Sequence, residues 1–169
     1  MKNTIRSMLL AAGALLVVTA CTDPTVAPKS MVSSANIFSE EASYKAFLAK
    51  IYAGLAVSGQ QGPAGNGDIS GLDEGFSQYM RLWWQMEELP TDEAAISWND
   101  GPLQELNTQI WASSNSFLGS MYYRIYFQVG LVNEFLRETT DAKLSSRGVS
   151  AAMTAEVKKY RAEARFLRA

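Results

Sequence analysis

The stretch "SNSFLGSMYYRIYFQVGLVNEFLRET", residues 114–139, limits the fold more than any other part of the chain. Leu118, Met121, Tyr122, Ile125, Val129, Val132 and Leu136 recur at spacings of three and four, which lays one apolar stripe along about five turns of helix. Such a helix gains most of its stability by packing that stripe against other elements. Two further segments carry stripes of their own. Tyr44, Leu48, Ile51, Tyr52 and Leu55 form a stripe in "FSEEASYKAFLAKIYAGLAVSG", with Ser39 as the expected N-cap, Glu40 and Glu41 in the first turn and Gly59 as the stop. Met153, Val157, Tyr160, Ala164 and Leu167 form another in "AAMTAEVKKYRAEARFLRA". No run alternates long enough to specify a strand. The expected fold class is mainly α, with helices paired antiparallel as in helical solenoids, although no fixed-period repeat is visible.

The remaining segments are shorter. "LDEGFSQYMRLWWQMEELP" is expected to be helical to about Trp84 and extended before Pro90, because a residue preceding proline is biased away from the helical region. Thr91 is expected to start a new turn, "GPLQELNTQIW" to hold one short helix, and Thr139–Ser150 to be a polar connection. Gly59–Gly71 contains five of the twelve glycines, but its spacing fits neither nucleotide-binding fingerprint, so it reads as a surface loop. The last helical stripe reaches Ala169 without a cap, glycine or polar exit and its apolar face still wants a partner, so residues 36–169 are expected to be the N-terminal portion of a longer helical domain.

The beginning of the chain has a different character. Lys2 and Arg6 precede an apolar run from Met8 to Val18, followed by Thr19-Ala20-Cys21. Eleven apolar residues make a helix of roughly 16 Å, about half of a bilayer core, so the layout is that of a secretory signal rather than a span. "VTAC" resembles a bacterial lipobox, in which the chain is cleaved before a cysteine that then carries lipid, and Cys21 is the one cysteine of the sequence. Residues 1–20 are thus expected to be a lipoprotein signal peptide and residues 21–35, with Pro24 and Pro28, a lipidated tether.

Composition narrows the chemistry. The sequence has no histidine, which removes the commonest general base and most zinc sites, and one cysteine allows no internal disulfide. A net charge of −2 gives no electrostatic footprint for nucleic acid. All four tryptophans lie between residues 83 and 111. Trp83, Trp84 and Trp111 are expected to fill core, whereas Trp98, beside Asn99, Asp100 and Gly101, is expected to be exposed. An exposed ring beside arginine, amide and carboxylate groups suits a sugar, taking its C–H face while the polar groups bond its hydroxyls. Glu87, Glu88, Asp92, Glu93 and Asp100 also supply candidates for the paired carboxylates of a glycosidase. Acids next to Thr91, however, are ordinary cap and dipole partners. A scaffold lipoprotein whose helix faces dock on a partner is a third reading.

Three blocks, "RLWWQMEELPTDEA…W", "YYRIYFQVGLVNEFL" and "YRAEARFLRA", in this order and spacing, resemble the N-terminal part of SusD/RagB-type proteins. That resemblance implies a mainly α fold of tetratricopeptide-like helical hairpins with long irregular loops. It also implies a cell-surface lipoprotein of the outer membrane, without cofactor or metal. Such a protein binds an oligosaccharide or polysaccharide, or a peptide, without cleaving it and delivers it to a SusC-like TonB-dependent transporter. Arg81 stands where starch-binding relatives carry an arginine that bonds the glycan, and Trp98 where they carry a stacking tryptophan. Ile96 replaces a second aromatic and Gly101 an asparagine contact, with Asn99 and Asp100 as the available substitutes. If Cys21 carries the anchor, Cys21→Ala moves the protein out of the membrane fraction; retention of unlipidated protein there would defeat the assignment.

Overall fold

The computed structural model describes residues 33–34, 36–59 and 67–169. The expected signal peptide, Cys21 and nearly all of the tether lie outside the described residues, as does the middle of the glycine-rich loop. Among the described residues six helices follow one another: α1 Glu41–Ala53, α2 Tyr79–Glu88, α3 Gly101–Asn107, α4 Ser116–Glu138, α5 Asp141–Ser146 and α6 Ala151–Arg168. The fold is mainly α, as expected. No helix among the described residues is long and apolar enough to cross a membrane.

α4 is the spine. At 23 residues it is about 35 Å long, and it serves two hydrophobic clusters in turn. Toward its C-terminal end, Val132 and Phe135 pack with Tyr44, Leu48 and Ile51 of α1, Leu144 of α5, Val157 and Ala164 of α6, and Phe38. Near its start, Phe117 packs with Leu82 and Leu89 around α2 and with Leu103 and Leu106 of α3. Hydrogen bonds fix the helix directions. Arg161 Nη1 donates to Leu136 O and Thr139 O, and Arg168 Nη1 to Asn133 Oδ1, so α6 runs antiparallel to α4. Ser150 N donates to Glu41 Oε1 and Tyr52 Oη to Glu163 Oε2, so α1 and α6 lie side by side in the same direction.

The stripe of α6 is borne out, since Met153, Val157, Tyr160, Ala164 and Leu167 all join the first cluster. That of α1 holds for the buried Tyr44, Leu48 and Ile51, whereas Tyr52 is 44% exposed and Leu55 lies past the helix end. The stripe of α4 holds at its two ends, where Leu118 and Met121 join the second cluster and Val132 and Leu136 the first, but not in the middle. Its buried residues are Phe117, Ser120, Arg124, Val132, Phe135 and Glu138, while Tyr122 is 58% exposed and Ile125 39%. The inward face of the helix middle carries polar side chains that are buried because the neighbouring backbone accepts their hydrogen bonds, and an apolar pattern cannot register them.

Several boundaries also move. α1 is capped at Glu40, not Ser39, and ends at Ala53, well before Gly59. The reason for the early end is Gln128 of α4, whose Nε2 takes the Ile51 carbonyl at 2.7 Å. α2 runs on to Glu88 rather than Trp84, and Leu89 remains in the helical region (φ −65°, ψ −30°) despite the following proline. Burial of Leu89 in the second cluster outweighs the preference that proline imposes. The connection 139–150 contains α5, capped by the Thr140 hydroxyl and pinned by buried Leu144. Beside it, Lys143 and Arg147 bond the buried carboxylate of Glu138 and hold it below the usual carboxylate range, the Lys143 bond contributing most.

Gly54 leaves room for the Gln128 amide, since a Cβ there would fall 2.3 Å from Gln128 Oε1. Gly54→Ala should displace that amide and strip the Ile51 carbonyl of its partner, lowering stability by about 1–2 kcal/mol in urea denaturation. With Gln128→Ala already present the loss should shrink; an equal loss in both backgrounds would contradict this account.

Candidate functional site

Arg81 is the third residue of α2, and its position follows from that of Leu82. Leu82, Gln85 and Leu89 face inward at helical spacing, so Arg81 and Trp84 stand on the flank of the helix. Arg81 Nη1 donates to Gly75 O at 2.6 Å, and Gly75 N in turn donates to Asp73 Oδ1. Arg81 Cζ lies 5.7 Å from the centroid of the Trp98 ring, a cation–π distance. The fold thus brings together two of the four ligand-contact candidates, although they are seventeen residues apart in sequence.

Trp98 is 57% exposed, as its loop-like surroundings predicted. Asn99 is exposed and Asp100 half-buried at the N-cap of α3, where its side chain makes no capping bond. No hydrogen bond among the described residues joins Asn99 or Asp100 to Arg81 or Trp98; chain adjacency alone keeps them near. Trp83, Trp84 and Trp111 are 46%, 51% and 46% exposed, which overturns their expected core role. Their places in the second cluster are taken by Leu82, Leu89, Leu103, Leu106 and Phe117, with Phe76, Met86 and Ile96 around them.

The acids of the stretch have a plainer setting. Thr91 starts no helix: its hydroxyl donates to Glu88 O at 2.7 Å and accepts from Glu93 N at 3.2 Å, closing a turn that passes into irregular chain. The side chains of Glu87, Glu88, Asp92 and Glu93 enter no hydrogen bond or ion pair among the described residues. Nor does any group of three or more acids gather there as a metal site.

Sequence reasoning missed what holds the lip. Residues 89–98 have no regular structure, so their backbone groups need partners from elsewhere. α3 and the residues after it supply amide side chains. Asn107 Nδ2 donates to Leu89 O at 3.1 Å and to Ala94 O at 3.3 Å, Gln109 Nε2 to Pro90 O, and Gln104 Nε2 to Trp98 O at 3.0 Å. Asn115 completes the frame: its Oδ1 caps α4 while its Nδ2 donates to Pro102 O and Glu105 Oε2. The run of amides at 104, 107, 109 and 115 was the available signal. Ile96 turns into the second cluster, so the ring presented here is that of Trp98.

The ring of Trp98 stands exposed at the lip. Two clefts, of about 260 Å³ beside Ile51, Tyr79 and Leu167 and about 340 Å³ beside Phe76, Asn115 and Tyr123, include neither Arg81 nor Trp98.

No family model matches the chain. Over 121 residues it is 36% identical to the starch-binding protein SusD of Bacteroides thetaiotaomicron, a match that covers 71% of this chain and 20% of that protein. The chain therefore spans about a fifth of the length of the curated relative that it matches.

Asn107→Leu removes both bonds to the lip while keeping size. It should cost about 1–2 kcal/mol of stability and speed amide exchange in residues 89–98 ahead of the helices. Uniform acceleration across the protein would show that Asn107 does not hold the lip in particular.

Proposed function

The chain belongs to the SusD-like family, and from that premise we propose that it forms the N-terminal part of a glycan-binding lipoprotein that captures its ligand without cleaving it. The observation that carries this reading is the Arg81 guanidinium set against the exposed ring of Trp98. A pyranose stacks its C–H face on such a ring, and the guanidinium, with one donor committed to Gly75 O, has others to offer to hydroxyls. Asn99 and Asp100 add an amide and a carboxylate at the same edge. An open lip accepts a chain passing across it, which suits a polymer better than a small enclosed ligand.

Starch is one candidate among several glycans, because Ile96, packed against the second cluster, stands where starch-binding relatives carry a second aromatic. The rest of the reading follows from family membership. Lipid on Cys21 holds the protein at the outer membrane, facing outward, and the bound glycan passes to a SusC-like TonB-dependent transporter. The acid side chains at 87–93 lie at the protein surface, the turn beside them being closed by Thr91, and no catalytic role is assigned to them.

The full-length protein should bind a soluble oligosaccharide in the micromolar to millimolar range and return it intact. In titration calorimetry against plant and host glycans, Trp98→Ala and Arg81→Ala should each weaken binding about tenfold or more, the usual scale for a stacking ring or a charged hydrogen bond. Hydrolysis by the purified protein, or full affinity in both variants, would refute the reading.

A further inference from the structure

Two arginines hold the segment that leads into α2. Arg81 reaches it through Gly75 O. Arg124, in the middle of α4 and fully buried, reaches it on either side of that point: Nη1 donates to Asp68 Oδ1 at 2.7 Å, Nε to Ser77 O at 2.8 Å and Nη2 to Ser77 Oγ at 3.3 Å. Asp68 also faces Lys50 Nζ at 3.6 Å. The segment has little regular structure of its own. A lone bridge pairs Gly59 with Gly67, Asp68 N donates to Ser58 O, and the Ser58 hydroxyl donates to Glu74 O. At Gly67 a Cβ would sit 2.9 Å from Leu72 O, so the turn that follows is closed tightly.

A buried guanidinium is costly unless its donors are matched, and for stability alone an apolar side chain often serves as well. What only the planar fork supplies is geometry: one rigid group fixes Asp68 and Ser77 relative to α4 at the same time. Gly75 lies between those two anchors and its carbonyl is the one that receives Arg81. We propose that Arg124 is a positioning residue for the ligand lip: by fixing Asp68 and Ser77 it sets the Gly75 carbonyl, which aims Arg81 at Trp98. The inference rests on the reading of Arg81 and Trp98 as ligand contacts, and it adds that their register is set by a residue that touches neither.

The test uses Arg124→Lys, which keeps the charge but cannot serve Asp68 and Ser77 together, and Asp68→Asn, which keeps the shape and loses the charge. Asp68→Asn decides the matter if Arg124→Lys fails to fold. The emission of Trp98 is isolated by subtracting the spectrum of the same protein carrying Trp98→Phe. Both variants should change this difference spectrum in the absence of any ligand. Affinity for an oligosaccharide bound by the parent protein should fall about three- to tenfold, the range for coupled neighbours. In an Arg81→Ala background the same changes should have little further effect, whereas a purely structural role would lower affinity equally in both backgrounds. An unchanged Trp98 spectrum, an unchanged affinity in the presence of Arg81, or equal losses in both backgrounds would each overturn the proposal. If the parent protein binds no glycan, the proposed function fails on its own account, and the Trp98 spectrum still decides whether Arg124 sets the lip.

Discussion

Much of the structure depends on one buried guanidinium at the waist of its longest helix. α4 has to contribute to two apolar clusters, with Phe117 near one end and Val132 and Phe135 toward the other. Between them its inward face carries Ser120, Arg124 and Gln128 beside the half-buried Met121 and Val129. Arg124 makes that waist stable by satisfying Asp68 and Ser77, and Gln128 does the same for the exposed carbonyl of Ile51 at the end of α1. The polar waist therefore couples the spine to irregular chain that hydrophobic packing alone would leave undefined.

The lip shows the same economy of means. An exposed tryptophan on a loop would ordinarily lose considerable side-chain and backbone freedom on binding, and that loss opposes affinity. Here the loop carbonyls are taken up by Asn107, Gln109 and Gln104, and the ring already faces a guanidinium. Much of the ordering is complete before a ligand arrives. The chemistry on offer, a flat apolar face with fixed donors beside it, suits the recognition of hydroxyl-rich chains. The likeness to SusD, over a fifth of that protein's length, is what singled out Arg81 and Trp98, and the geometry adds that the two lie together.

Legibility in the sequence followed burial chemistry. The helices α1, α4 and α6 were readable because their apolar residues repeat at helical spacing, and the inward face of α6 and most of that of α1 came out correctly. The short α5 was not, since Leu144 alone in a polar stretch carries no period. α2 was expected to stop at Trp84 because Pro90 lies ahead, yet burial of Leu89 extended it. Arg81 and Trp98 were named through family likeness, and the loop character of Trp98 through its neighbours. The exposure of Trp83, Trp84 and Trp111 was missed, because an aromatic residue enters a core only if the inward register of its element includes it.

The sequence by itself determined the class of fold, the apolar stripe of α6 and most of that of α1, and the residue types available at the lip. Periodicity and composition are local properties, and they suffice for that. Tertiary structure decided which face of α4 turns inward, where α1 ends, and that Arg81 stands over Trp98. Each of those outcomes is settled by a hydrogen bond or a packing contact between residues far apart in the chain, where a polar group gains its place only when a distant carbonyl or carboxylate is there to receive it.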